Sequence, residues 1–227
     1  VLNNVDAKDF LQDLGAGAKE NFGFRAHSVS WSPDGKYLAV GGNNGAQDVI
    51  VYEWNGSTLT QKTSRPHGFY AYDVSWSPDG KYLAVGGYNN PNDVIVYEWN
   101  GSTLTQKTSQ PHGFYALSVS WSPDGKYLAV GGNNGAQDVI VYEWNGSTLT
   151  QKTSQPHGSA HSVSWSPDGK YLAVGGNNSP NDVIVYEWNG SALTQKTSQP
   201  HGTYAYSVLW SPDGKYLAVG GNNSPND

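Results

Sequence analysis

The side chains able to do chemistry recur at the pace of a repeat. Histidine stands at His67, His112, His157 and His201, and aspartate at Asp48, Asp93, Asp138 and Asp182. A metal centre needs several donors within one small site. Here the donors fall one pair to each repeat, so a structural role is expected for all eight, with no metal or other cofactor. A calcium loop needs alternating acidic ligands, and the stretch NNGAQD ending at Asp48 has only one. The Asn-Gly-Ser triplets starting at Asn55, Asn100, Asn145 and Asn189 match the glycosylation sequon. Asn-Gly is also a strong two-residue hairpin signal, and a turn is the first reading. Neither G-x-S-x-G nor H-E-x-x-H nor a phosphate loop occurs. No catalytic residue is predicted, and the chain reads as a non-catalytic binding protein rather than an enzyme.

The chemistry that remains is recognition. The strings WSPDGKYLAVGG and VIVYEWNGS hardly vary from copy to copy, whereas the stretch before each WSPDG varies as FRAHS, FYAYD, FYALS, SAHS and TYAYS. The loop after each Gly pair varies too, as NNGAQ, YNNPN or NNSPN. Side chains in these stretches form the candidate ligand- or partner-binding set: Arg25, His27, Tyr70, Tyr72, Asp73, Tyr88, Tyr115, Leu117, His161, Tyr204 and Tyr206. Tyrosine offers a large amphipathic contact at low entropic cost, which suits binding. Some of these tyrosines are expected to pack between repeats instead.

The elements that must position this set follow from the repeat. WSPDGKYLAVGG occurs five times, with its tryptophan at Trp31, Trp76, Trp121, Trp165 and Trp210, so the period is 44 or 45 residues. Each unit reads as four short strands. The first ends at this Trp, and SPDG turns the chain. The second is KYLAV, closed by a Gly pair. The third is VIVYEW. The fourth, LTQKTS, is polar and alternating, as suits an exposed edge. A four-stranded antiparallel unit at this period is the signature of a β-propeller. The predicted fold is all-β: five four-stranded blades with first strands innermost, the first-strand Trp and Tyr82, Leu83 and Val85 buried between blades. In such blades the two variable connections share one face and the two constant ones the other.

Composition agrees. Charged residues make up 14%, aromatics 13%, and Gly numbers 28 in 227 residues, a turn-rich globular mix. The net charge of −6 comes with no cluster of Lys or Arg. Nucleic acid and anionic membrane are therefore poor partners, and no run of about 20 apolar residues suggests insertion into a bilayer. Cysteine is absent, which excludes disulfides and thiolate chemistry without fixing a compartment. Methionine is absent too, so Val1 is not expected to be the translation start.

Over residues 22–227 the chain resembles the WD-repeat family. WSPDGKYLAVGG is similar to that family's first strand, turn and second strand. Asp48 precedes Trp54 by six residues, and His67 precedes Trp76 by nine, as the family's loop Asp and its Gly-His histidine do. Asp93, Asp138 and Asp182 repeat the first relation. His112 and His201 repeat the second, and His157 does so one residue short. The resemblance implies a hydrogen-bond chain of His, Ser, Asp and Trp. Here Val40, Val85, Val130, Val174 and Val219 replace the family's Ser or Thr. The chain is therefore incomplete, and only a direct His–Asp contact is expected. The variable connections fall where WD propellers bind partners.

Only four third and fourth strands are visible for five first and second strands. Residues 1–23 do not repeat but have the length to donate the missing pair, and residues 1–14 are expected to pair with Lys215–Val219. The rival is a longer propeller or pairing with another copy. One propeller domain spanning 1–227 is expected, with 24–227 as five repeats of which the last is incomplete. Its expected function is to bind a protein or peptide on the variable face. A glycan-binding propeller and a self-associating fragment are the alternatives.

Overall fold

The computed structural model describes residues 25–178 and 180–222. The first blade comprises β1 (Arg25–Trp31), β2 (Tyr37–Asn43), β3 (Val49–Trp54) and β4 (Leu59–Arg65). The second comprises β5 (Tyr70–Trp76), β6 (Tyr82–Tyr88), β7 (Val94–Trp99) and β8 (Leu104–Gln110). The third comprises β9 (Tyr115–Trp121), β10 (Tyr127–Asn133), β11 (Val139–Trp144) and β12 (Leu149–Gln155). The fourth comprises β13 (Ala160–Trp165), β14 (Tyr171–Gly176), β15 (Val183–Trp188) and β16 (Leu193–Gln199). The fifth has β17 (Tyr204–Trp210) and β18 (Leu217–Asn222) among the described residues. Each sheet runs antiparallel in chain order. Four blades are thus complete, and the described part of the fifth has two strands. The closure expected of residues 1–23 lies outside the described residues.

The blades fan outward. First strands pack on one another in sequence, from β1 through β17, while fourth strands of neighbouring blades scarcely meet. The reason is side-chain size. The first strand carries Ala71 and Val74 into the contact with the previous blade, and the second strand contains paired glycines. A Cβ added at Gly86 would lie 2.9 Å from Cγ1 of Val119, and one at Gly87 only 2.0 Å from the Tyr70 carbonyl oxygen. The Gly pair therefore does not close the second strand, as its sequence suggests; β6 runs through it, because only glycine lets the neighbouring backbone so near.

Each gap between blades is filled from both sides. Ala39, Val49 and Val51 of the first blade meet Val74, Trp76, Leu83, Val85, Ile95 and Trp99 of the second. Leu83 and Val85 are fully buried and Trp76 nearly so. Two burial expectations are corrected. Trp31 is 49% exposed, because no described blade precedes β1. Tyr82 is only half-buried: its ring stands edge-on over Trp144 of the next blade, 5.0 Å between centroids, near the surface.

The turns are set by local side-chain bonds. In SPDG, Ser32 Oγ and the Lys36 N–H both donate to Asp34 Oδ1, and Gly35 takes φ 70°. Asn55-Gly56 does not form a two-residue hairpin. Trp54 pairs with Leu59, leaving a loop of Asn55 to Thr58. Asn55 Oδ1 accepts the N–H groups of Ser57 and Thr58 at 2.9 and 2.8 Å, so the Asn side chain closes a longer turn than the dipeptide alone implies.

Candidate functional site

Every first strand carries a β-bulge at the same place. Pairing with the second strand slips between Ala26 and Ser28, between Ala71 and Asp73, between Ala160 and Ser162, and between Ala205 and Ser207. In the third blade the same slip falls opposite Gly131 and Gly132. The extra residue is His27, Tyr72, Leu117, His161 or Tyr206, so the bulge displays a side chain that differs between copies. A bulge frees one residue from the ladder and re-aims its side chain.

The displayed rings gather into two groups. His27 stands edge-on to Tyr72 at 5.5 Å and to Tyr70 at 6.2 Å, and Tyr70 stacks on Tyr72 at 5.5 Å. Tyr72 reaches Tyr115 at 6.1 Å, and Tyr115 reaches Tyr88 at 5.1 Å. This group crosses three blades. In the second group His161 meets Tyr206 at 5.3 Å and Tyr204 at 6.0 Å, and the two tyrosines stack at 5.4 Å. Burial among Tyr115, Tyr70 and Tyr88 raises the Tyr72 phenol above its usual range, and burial lowers His161. Both stay neutral near pH 7 and offer hydrogen bonds rather than charge.

Two residues were missed by the sequence reading. Phe69 is 61% exposed and stacks on Tyr88 at 4.9 Å, and Phe114 is exposed in the next blade. Their signal was present, since copies two and three have Phe-Tyr where copy four has the single Ser159 and copy five has Thr-Tyr. Arg25 is exposed and Leu117 half-buried, and neither joins the ring contacts. Asp73 is engaged across the blades. Its Oδ1 accepts from Ser28 Oγ at 2.6 Å and from its neighbour's Val74 N–H at 2.9 Å, and its Oδ2 accepts from the Val119 N–H at 2.8 Å. Asp73 thus links three consecutive blades where the other copies have serine, and burial pushes its pKa up.

The repeated His and Asp are structural parts of the same face. The Asp48 carboxylate accepts from the N–H groups of Asn44 and His67, at 3.0 and 2.8 Å. Asp93, Asp138 and Asp182 hold His112, His157 and His201 likewise. The expected His–Asp contact therefore runs through the histidine backbone, not its ring. The His67 ring instead sets Nε2 3.3 Å from the Asp93 carbonyl. Trp99, Trp144 and Trp188 have buried indole N–H groups without a partner. Among the described residues no three His, Asp or Glu side chains gather as a metal site, and no helix is long and apolar enough to cross a membrane.

The constant face has its own concavities. Three equivalent hollows of about 410, 320 and 230 Å³ lie between successive blades, each lined by the Tyr of one blade and the Trp of the next with SPDG turns from both.

Comparison with known proteins follows the fold. Residues 102–224 match the family model of the ELP1 first N-terminal beta-propeller, and residues 19–132 match that of the eukaryotic translation initiation factor eIF2A. No curated protein matches the chain. Among solved structures, the chain is similar to the periplasmic gluconolactonase PpgL of Pseudomonas aeruginosa, with a TM-score of 0.70 and 21% identity over 87% of this chain. The chain spans 63% of the length of that protein. This likeness overturns the expectation of a non-enzyme drawn from missing motifs, because a protein of this fold is a gluconolactonase. Motifs such as G-x-S-x-G belong to other scaffolds and do not report on a site assembled from the loops of several blades.

Proposed function

The chain belongs to the β-propeller family represented by the ELP1 and eIF2A models, and on that premise we propose that it recognises a protein or peptide on the face displaying the bulged residues. The observation that carries this reading is the coincidence of bulge and variation: His27, Tyr72, Leu117, His161 and Tyr206 differ among near-identical copies, and each sits where the strand releases a side chain from the ladder. Drift alone would scatter differences along the repeat. Exposed Phe69 and Phe114 flank the larger ring group and supply apolar anchors of the kind that dominate binding energy. The WD-type reading of the blades belongs to this proposal too, supported by the recurrent grip of Asp48 and its equivalents on the next His.

The test is selection of peptides from a displayed library on the intact chain, followed by affinity measurement on variants. Tyr72→Ala is expected to weaken the selected peptides roughly 30-fold, as loss of one aromatic anchor does, with the fold retained. Equal affinity for Tyr72→Ala, or loss only on Tyr127→Ala in the constant face, would overturn the assignment. The three constant-face hollows support a second reading, a glycan held at equivalent weak sites and strengthened by avidity. Glycan-array binding lost on Tyr127→Ala and kept on Tyr72→Ala would favour it.

A further inference from the structure

Resting on the peptide-binding reading above, we propose that the aromatic file of the second and third blades takes a proline-rich segment in the polyproline II conformation. Both blades have a described neighbour on either side, so this surface does not depend on the ends of the chain.

The file is continuous. Phe69 stacks on Tyr88 at 4.9 Å, and Tyr88 stands edge-on to Tyr115 at 5.1 Å. Tyr115 stands edge-on to Tyr72 at 6.1 Å, and Tyr72 stacks on Tyr70 at 5.5 Å. Two stacked pairs thus flank Tyr115, whose plane crosses both, and the rings form ridges rather than one flat platform. Phe69 is 61% exposed and Tyr115 36%, so the file is open to a ligand.

Charge narrows the occupant. Residues 69–75, 88–93 and 114–120 contain no Lys, Arg or Glu. Their two acids are already engaged. Asp73 holds Ser28, Val74 and Val119, and Asp93 holds the N–H groups of Asn89 and His112. A phosphorylated or acidic peptide needs arginines to pair with, and a basic one needs free carboxylates. These stretches supply neither.

Hydrogen bonding narrows it further. The phenols of Tyr70, Tyr72, Tyr88 and Tyr115 have no hydrogen-bond partner among the described residues, so four O–H donors remain. A polyproline II segment is their complement. Proline has no N–H to satisfy, and the carbonyls of this helix make no internal bonds and are free to accept. Its rings lie against aromatic faces, and the segment is already ordered before it docks, which lowers the entropic cost. Five rings span at most about 20 Å, the length of about seven residues at ~3.1 Å each.

The test is calorimetric titration of the intact chain with a ten-proline peptide, with a Gly-Ser peptide of equal length as control and the displayed library run beside it. Saturable binding of ten-proline and enrichment of proline-rich clones are expected, with no binding of the Gly-Ser peptide. Phe69→Ala, at an exposed site, should weaken ten-proline about 10-fold or more with the fold retained. Tyr115→Phe keeps the ring and removes the donor, and should weaken it about 2- to 10-fold. Tyr127→Ala, on the constant face, should change nothing. If the library yields peptides that need Tyr72 but lack proline, and ten-proline does not bind, the proposal falls and the peptide reading stands. If neither the library nor ten-proline gives a binder, both fall. Ten-proline binding that survives both Phe69→Ala and Tyr115→Phe overturns the proposal as well, because the segment then sits elsewhere.

Discussion

At the scale of the residue, His67 shows how burial becomes pH dependence. It is 0% exposed, its Nε2–H points at the Asp93 carbonyl, and its Nδ1 has no partner. A second proton would place a charge and an unmatched donor inside the junction. Burial accordingly pushes its pKa from 6.5 down to about 4. His112 and His157 are lowered for the same reason. A folded pKa below the unfolded one means that the unfolded chain binds more protons between the two values. Stability is therefore complete above about pH 6.5 and is lost as pH falls toward 4, by roughly 3 kcal/mol for His67 alone. Urea unfolding at about pH 7 and about pH 4.5 should show this fall, and His67→Gln should flatten part of it. A chain equally stable at both values would mean that His67 titrates as a solvated histidine. Asp73 acts in the opposite sense: its raised pKa makes ionisation costly, so its contribution improves as pH drops through the carboxylate range.

At the scale of the element, the second strand is where the repeat tolerates least. Gly87 faces backbone, with the Tyr70 carbonyl 2.0 Å from a new Cβ, and Gly86 faces a valine methyl and the Ala116 carbonyl at 2.9 and 3.1 Å. Gly86→Ala should cost about 1–3 kcal/mol by overpacking, and Gly87→Ala more, because backbone cannot step aside. Gly220→Ala, where a new Cβ has only Ser207 Cβ near it, at 4.0 Å, should cost little; thermal melts of the three variants give the order. Why these glycines are invariant was not legible in the sequence, where a Gly pair reads as a strand end. The period, the strand count per blade and the two faces were legible, because the alternation and the SPDG turn recur without error. The bulge was not, since a one-residue slip depends on pairing with β6 and leaves no mark in YAYDVSW itself. The same limit hid the inward turn of Asp73: a carboxylate in a variable stretch reads as surface until Val119 of the next blade supplies its N–H. The variable face was found from copy-to-copy differences, but Phe69 and Phe114 were passed over because tyrosine drew the argument.

At the scale of the whole molecule, near-identical blades that each pack on the next make stability a sum of nearest-neighbour junctions. Each described junction contributes the same valine and tryptophan contacts, so a blade's worth depends on how many neighbours it has. Trp121 and Trp31 are the same residue in the same repeat string, yet Trp121 is 6% exposed and donates to the Ser75 carbonyl at 3.1 Å, while Trp31 is 49% exposed at the leading end. Trp121→Ala removes a buried ring and leaves a cavity between two blades, which should cost about 3–5 kcal/mol. Trp31→Ala removes a ring that still faces solvent, and should cost about 1 kcal/mol or less in dilute solution. Denaturant midpoints of the two variants at low protein concentration measure the difference directly. Equal costs for the two variants would mean that the first blade already has a neighbour.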